Sequence, residues 1–164
     1  MTPKNFLPKE EYWKTLDRKH CGSGALIRNR RGEILLEKPS YKDYWIIPGG
    51  GVNSFESPKE AVEREIFEEL GIAVPVGNLI GLRYVRASDS FPEALSFVFD
   101  GGVVSEELSQ QVKIDGEEVL DFKFISLGEL DKFVSSPHRA MMLRSIVEAA
   151  ERGGFVYLED EKTI

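Results

Sequence analysis

The chain has 164 residues and a formal net charge of −7 at pH 7, with 41% hydrophobic and 30% charged residues. This composition is ordinary for a globular protein, suits a single domain over residues 1–164, and excludes a largely disordered chain. An acidic chain is a poor candidate for binding a nucleic-acid polymer, which requires neutralisation of many phosphates. A small phosphorylated ligand is still compatible with it, because a metal ion can supply local positive charge.

Cysteine content and hydropathy bear on where the protein works. Cys21 is the only cysteine, so an intrachain disulfide is excluded and a reducing compartment is favoured. No apolar run approaches the roughly 20 residues that span a bilayer, and residues 1–19 lack the apolar core of a signal peptide. We therefore expect a cytoplasmic protein with no membrane partner.

The first third of the chain predicts a short helix followed by a hairpin. The predicted elements are a helix at 8–17 within an N-terminal extension of residues 1–19, strands at 21–29 and 33–38, and a short apolar segment at 44–48. Gly32 can supply the turn between the two strands. The apolar segment runs directly into three glycines, Gly49, Gly50 and Gly51.

The remaining elements alternate between helices and strands. They are a helix at 58–70, strands at 74–86, 94–104 and 119–126, a polar loop at 104–118, and helices at 127–134 and 137–151. The tail after Gly153 and Gly154 predicts either a short strand or an irregular end. Strands interspersed with helices indicate an α/β or α+β fold, in which helices cover both faces of a mixed sheet.

The helix at 58–70 has clear start and stop signals. Ser57 is a good N-cap, Pro58 suits the first helical position, and Glu60 completes a capping box. Gly71 can adopt the left-handed conformation that ends a helix. The sequence therefore fixes which residues of this helix face the same direction.

Three glutamates share one arc of that helix. Glu65, Glu68 and Glu69 are i, i+3 and i+4 neighbours, so their side chains converge on one volume. A solvated acidic face is the usual meaning of such a cluster, but such a face normally interleaves basic residues. At about 100° per residue, Arg64 is expected on another part of the circumference. The cluster instead favours a site for Mg²⁺ or Mn²⁺, which prefer carboxylate ligands.

The glycines and this helix together match a known pattern. The defined positions are Gly50, Glu56, Arg64, Glu65, Ile66, Glu68, Glu69, Gly71 and Ile72, at fixed spacing over 23 residues. This pattern resembles the complete signature box of the Nudix hydrolases, the MutT-like family. The flanks resemble the family too, with Trp45-Ile46-Ile47-Pro48 before the box and residues 118–130 after it.

The resemblance implies a fold, a reaction and a set of site residues. The family hydrolyses a diphosphate linkage in a nucleoside diphosphate joined to another group X, on an α/β/α sandwich. It implies that Glu65, Glu68, Glu69 and the Gly50 carbonyl bind Mg²⁺ or Mn²⁺. It further implies a catalytic set of Glu68, Glu69 and Arg64, with Arg64 orienting a neighbouring glutamate. Glu56 and Gly71 would be structural.

Other residues are candidates for completing the site. A further carboxylate often comes from outside the box in this family, and Glu118 is the first choice, with Glu117 next. Candidates for contacting the substrate are Arg28, Lys38, Tyr44, Arg86 and Phe91. Two loop positions depart from many family members, namely Asn53, where an acid is common, and Phe55, where a glycine is common.

The resemblance leaves other questions open. The expected partner is a small nucleoside diphosphate derivative, but the sequence does not identify group X. The sequence does not identify which glutamate is the general base or how many metal ions bind. The oligomeric state could be a monomer or the homodimer that is common in similar proteins. Alternatives are a nucleotide-sensing module that does not cleave its ligand and an isomerase of isoprenoid diphosphates. The sensor would be expected to have lost box carboxylates, whereas the isomerase would need a catalytic cysteine in its own context.

Overall fold

The computed structural model describes residues 7–89, 91–114, 116–160 and 162–163. The strands are β1 His20–Arg28, β2 Ile34–Pro39, β3 Gly49–Gly51, β4 Leu79–Val85, β5 Ala94–Val103, β6 Val119–Ile125, β7 Val156–Glu159 and β8 Lys162–Thr163. The helices are α1 Lys9–Lys14, α2 Pro58–Leu70, α3 Glu106–Ser109 and α4 Pro137–Glu151, and a 3₁₀ turn spans Leu130–Lys132. No helix of the described residues is long and apolar enough to cross a membrane.

The strands form one mixed sheet in the order β6-β2-β1-β5-β4-β7-β8, with β3 paired to β1. The β1–β5 and β4–β7 pairs are parallel, whereas β1–β2, β1–β3, β2–β6, β4–β5 and β7–β8 are antiparallel. The predicted hairpin is confirmed, because β2 returns antiparallel to β1 and Gly32 lies in the turn at φ +75°.

Both faces of the sheet are covered by helices. Alternate residues of β1 point to opposite faces, so Leu26 joins one core and Ala25 and Ile27 join the other. Helix α4 covers the Leu26 face, while α2 covers the Ile27 face through Val62, Ile66 and Leu70. The predicted sandwich of helices around a mixed sheet is therefore confirmed.

Several predicted boundaries were wrong. The predicted strand at 74–86 is shorter, because residues 71–78 are irregular and β4 begins at Leu79. The predicted loop at 104–118 contains helix α3, whose N-cap Ser105 accepts a hydrogen bond from the Leu108 N–H. The predicted helix at 127–134 is only a 3₁₀ turn. Helix α1 is shorter than predicted and has no buried residue.

Candidate active site

The glycines lie in a gap of the sheet rather than in a turn. Between β1 and β2 the chain inserts residues 46–51, with Ile46 bridged to Glu37 of β2 and β3 paired to residues 22–24 of β1. A Cβ at Gly49 would lie 2.2 Å from the Ser23 carbonyl oxygen, and Gly49 has φ +138°. Only glycine fits this close approach, which places the backbone of β3 directly beside β1.

Helix α2 begins and ends as its sequence signals predicted. Ser57 and Glu60 form the capping box, and Gly71 at φ +66° donates its N–H to the Phe67 carbonyl. The Ser23 hydroxyl also donates to the Pro58 carbonyl, which ties the beginning of α2 to β1. Side chains on the next turns of α2 consequently face the glycines.

Arg64 binds the acidic arc, which contradicts the expectation that the arc has no basic partner on its own helix. One guanidinium nitrogen of Arg64 donates to both Glu65 and Glu68 at 2.8 Å. The other two guanidinium nitrogens reach Glu56 at 2.8 and 3.0 Å. The helical-wheel argument failed because it overlooked that Arg64 and Glu68 are i,i+4 neighbours on the helix, and because an arginine side chain is long enough to reach Glu65 and Glu56 as well.

Glu56 is held from two sides. Besides the Arg64 fork, one of its oxygens accepts the Asn53 N–H at 2.9 Å. These hydrogen bonds lower the pKa of Glu56 to about 2, with Arg64 as the larger cause. Phe55 next to it has φ +66° and an exposed ring, so this loop adopts the left-handed conformation at a position where an aromatic residue is strained.

Glu65 lies directly against Gly50. A Cβ built at Gly50 would lie 2.5 Å from a Glu65 carboxylate oxygen, whereas a Cβ at Gly51 would meet nothing within 4 Å. A side chain at position 50 would therefore displace the Glu65 carboxylate from the backbone of β3. Gly50 and Glu65 together form one edge of the candidate site.

Glu69 forms the opposite edge and is buried. Its side chain accepts the Gly49 N–H at 2.9 Å, and the residue is 6% exposed. Burial raises the pKa of Glu69 to about 7, although the Gly49 N–H favours the ionised form. Glu69 has no ion pair among the residues that the structure describes.

Glu37 of β2 is a site residue that the sequence reasoning missed. It is fully buried, and neither carboxyl oxygen has a hydrogen-bond partner of acceptable geometry among the described residues. Burial raises the pKa of Glu37 to about 9, and the charge of nearby Glu69 adds to the shift. The one available signal in the sequence was an acid directly after the apolar run Ile34–Leu36, in a strand whose neighbours are expected to be buried.

Glu118 is brought to the same side of the site. Its charge contributes to the raised pKa of both Glu37 and Glu69. The structure thus gathers the box glutamates of α2, Glu37 and Glu118 around β3, although they come from three separate segments. Carboxylates and a backbone carbonyl are the donors that hard divalent cations prefer.

The arrangement fits a cation chemically, but its ligands are not yet gathered around one point. Among the described residues, no three His, Cys, Asp or Glu side chains are placed to hold a metal ion as they stand. Glu65 and Glu68 bind Arg64 instead. Burial disfavours the ionised forms of Glu37 and Glu69, and a bound cation would offset that cost.

The predicted substrate residues are divided between two places. Lys38 and Tyr44 lie near the site, with Lys38 donating to the Lys42 carbonyl and Tyr44 contacting Lys42. Arg28 instead pairs with Asp100, and Arg86 pairs with Asp160. Phe91 is exposed and bridges Ser88. Arg28, Arg86 and Phe91 do not line the cavity that adjoins Gly49 and Gly50.

That cavity, of about 180 Å³, lies between the sheet and α4. Its lining includes Gly49, Gly50, Trp45, Lys42, Arg83 and Arg139, together with apolar side chains of α4 and β5. It therefore adjoins the carboxylates across the glycine backbone. Arg83 and Arg139 were not among the predicted substrate residues, because no local pattern marks either of them.

The fold and the geometry of the site agree with the predicted family, and comparison with known sequences confirms that family. The NUDIX domain family matches residues 18–144, and the chain belongs to the Nudix hydrolase family. Members act on pyrophosphate bonds of nucleoside diphosphate derivatives and generally need divalent metal ions. The predicted resemblance is thereby confirmed.

Individual relatives differ in how much of the chain they match. A Bacillus subtilis protein named "Putative 8-oxo-dGTP diphosphatase" is 31% identical over 130 residues, covering 79% of this chain and 81% of the relative. A Bos taurus protein, diphosphoinositol polyphosphate phosphohydrolase 3-beta, is 47% identical over 53 residues. That match covers 32% of each chain, so this chain spans about a third of that relative.

A solved structure supports the same family and fold. The crystal structure of a MutT protein from Methanosarcina mazei Go1 superposes with a TM-score of 0.64 and 31% sequence identity. The superposition covers 85% of this chain and 98% of the MutT chain. The similarity therefore extends well beyond the signature box.

Proposed function

We propose that this chain hydrolyses a diphosphate linkage in a nucleoside diphosphate joined to a further group X, with Mg²⁺ or Mn²⁺ as cofactor. The observation that carries the proposal is the buried carboxyl pair Glu37 and Glu69 beside β3, which forms no ion pair with any described basic side chain. Family membership supports the reaction class, while the residue roles rest on the geometry.

The chain's own groups divide the work as follows. Glu65, Glu68, Glu69 and the Gly50 carbonyl would hold the cation, because all four lie where α2 faces β3. Bound Mg²⁺ or Mn²⁺ would offset charge on the phosphoryl oxygens and lower the pKa of the attacking water. Arg64 would be a positioning residue that holds Glu65 and Glu68.

A carboxylate must also accept the proton of the attacking water. Glu68, Glu69 and Glu118 are the candidates, and single substitutions to glutamine would separate them. Glu56 would hold the loop through Arg64, and Gly71 would end α2.

We also propose that residues 1–164 form a single domain that works in the cytoplasm, since its one cysteine suits a reducing compartment.

The test is a hydrolysis panel with Mg²⁺ and Mn²⁺ over nucleoside triphosphates, nucleoside diphosphates, sugar nucleotides and dinucleoside polyphosphates. We expect metal-dependent cleavage of at least one substrate and a loss of about 100- to 10,000-fold in Glu69→Gln. Glu63→Gln is the control, because Glu63 lies on the same helix but bonds the Val76 N–H. Cleavage of nothing, or full activity of Glu69→Gln, would reject the proposal, and calorimetric binding without turnover would favour a nucleotide sensor.

A further inference from the structure

The cavity beside the glycines has an apolar wall and a basic mouth. Its wall on the α4 side is formed by Met142, Leu143 and Ile146, with Val98 and Leu158 from the sheet. Lys42, from the loop after β2, and Arg139, from the first turn of α4, also line it. Arg83 lines the cavity too, but its guanidinium donates to the Asp160 carbonyl. In a chain of net charge −7, Lys42 and Arg139 are two cations that would not be expected beside an apolar cavity.

Neither cation has an acidic partner in the described part of the chain. Lys42 and Arg139 form no ion pair there, although most other partly buried basic side chains do. The Nε–H of Arg139 is buried and has no hydrogen-bond acceptor among the described residues. Burial lowers the pKa of Lys42, and the charge of Arg139 lowers it further. The pair therefore carries unpaired donors and mutual repulsion, which an anion would relieve.

The ring of Tyr44 contacts both cations, and Lys42 also contacts the ring of Tyr41. The Lys42 ammonium lies 6.0 Å from the ring centroid and the Arg139 guanidinium carbon lies 5.7 Å from it. Contacts with an aromatic ring at this range orient cations without neutralising them. Tyr44, a predicted substrate contact, thus lies beside the two basic side chains.

The basic pair also adjoins the carboxylates. The charges of Glu37 and Glu69 act on Lys42 and partly oppose the lowering of its pKa. Gly49 and Gly50, which line the cavity, separate Lys42 and Arg139 from Glu65 and Glu69. A substrate lying along β3 with one phosphoryl group at the carboxylates would place its next anionic group at this pair.

We propose that Lys42 and Arg139 form a subsite for a phosphoryl group of the substrate other than the one at the carboxylates of α2. This inference deepens the proposed function and rests on it for the identity of the ligand. A phosphoryl group has several oxygens that can accept from a planar guanidinium and from an ammonium at once. Apolar ligands would leave the buried Arg139 Nε–H unsatisfied.

The test follows the Arg139 Nε–H signal by ¹H–¹⁵N NMR while inorganic pyrophosphate is added to the metal-free full-length protein. We expect this signal and the Lys42 amide to shift saturably with pyrophosphate and not with sodium chloride at equal ionic strength. Arg139→Gln and Lys42→Gln should each weaken pyrophosphate binding about tenfold or more, because each removes a charge-assisted hydrogen bond.

Matched variants separate a built subsite from general attraction by charge. Arg152→Gln removes the same charge at the exposed end of α4, and Lys14→Gln removes a charge from α1. Both should bind pyrophosphate like the wild type. The subsite would be overturned if pyrophosphate did not shift the Arg139 Nε–H signal. It would also be overturned if Arg139→Gln and Lys42→Gln kept the wild-type affinity for pyrophosphate, or if the two control variants lost as much affinity. Since no turnover or metal is involved, this result is independent of whether the chain hydrolyses its ligand.

Discussion

Two sets of carboxyl groups face the same three glycines, and they differ in how their charge is compensated. Glu56, Glu65 and Glu68 all bond to Arg64, at distances of 2.8 to 3.0 Å. Glu37 and Glu69 are more deeply buried and have no basic partner among the described residues. The first set shares one arginine, which offsets part of its charge, whereas the second retains a proton or requires a cation.

The pKa values express the same contrast. Hydrogen bonds from Arg64 and from the Asn53 backbone lower the pKa of Glu56 to about 2. Burial raises the pKa of Glu37 to about 9 and that of Glu69 to about 7. One helix and one glycine strand thus support both a fixed structural network and an unrelieved negative site. The unrelieved site is the one suited to bind something.

Among substitutions that leave all the carboxyl groups in place, Gly50→Ala is expected to have the largest effect. The new Cβ would lie 2.5 Å from a Glu65 oxygen and push that carboxylate away from β3. We expect kcat/KM on the best substrate of the panel to fall about 10- to 100-fold, as for other groups that orient metal ligands. Gly51→Ala is the matched control, because its Cβ meets nothing within 4 Å, and it should retain activity. Equal effects of the two substitutions would contradict the close approach.

Arg64→Lys should disrupt the hydrogen bonds that join residue 64 to Glu56, Glu65 and Glu68. An ammonium cannot reproduce the fork to Glu56 while also bonding Glu65 and Glu68. We expect the free energy of unfolding in urea at pH 7 to fall by about 2 kcal/mol. The pKa of Glu56, followed by NMR, should rise toward its ordinary value. Arg152→Lys at the exposed end of α4 should change neither quantity. A Glu56 pKa that stays near 2 in Arg64→Lys would argue that Arg64 is not its main partner.

Glu37→Gln should remove a pH dependence from the metal-free protein. An unfolded glutamate has a pKa of about 4.3, whereas folded Glu37 has a pKa of about 9. Between these values the folded state holds a proton that the unfolded state lacks, so stability falls as pH rises toward 9. Above pH 7 the Glu69 contribution is largely complete, which leaves Glu37 as the main cause.

Urea denaturation at pH 7, 8 and 9 measures this slope directly. The wild type should lose up to about 1.4 kcal/mol per pH unit from this group, and Glu37→Gln should lose much less. Glu148→Gln, on the exposed side of α4, should keep the wild-type slope. Identical slopes in wild type and Glu37→Gln would show that Glu37 does not hold the proton.

Local signals made part of this arrangement predictable. The capping box at Ser57, the proline at Pro58 and the glycine at Gly71 fix α2 from its own sequence, and the structure confirms those bounds. The acidic arc followed from helix geometry. The Arg64–Glu68 bond was also predictable as an i,i+4 pair, but the bonds of Arg64 to Glu65 and Glu56 depend on the reach of its side chain.

Residues brought together by the sheet were beyond sequence reasoning. Glu37 reads as one position in a strand, and only the insertion of residues 46–51 beside β2 encloses it with Glu69. Lys42 and Arg139 are far apart in the chain and meet because α4 packs over the sheet. The boundary of β4 was also missed, since an apolar run at 72–76 packs under α2 without forming a strand.

The most direct test of the central claim measures Mn²⁺ binding to the wild type, Glu69→Gln and Glu63→Gln by calorimetry at pH 7. If the buried carboxyl group of Glu69 helps hold the cation, its neutral amide should bind Mn²⁺ at least about tenfold more weakly. Glu63→Gln should bind like the wild type, because its carboxylate serves the Val76 N–H. Equal Mn²⁺ affinity in wild type and Glu69→Gln would contradict the account.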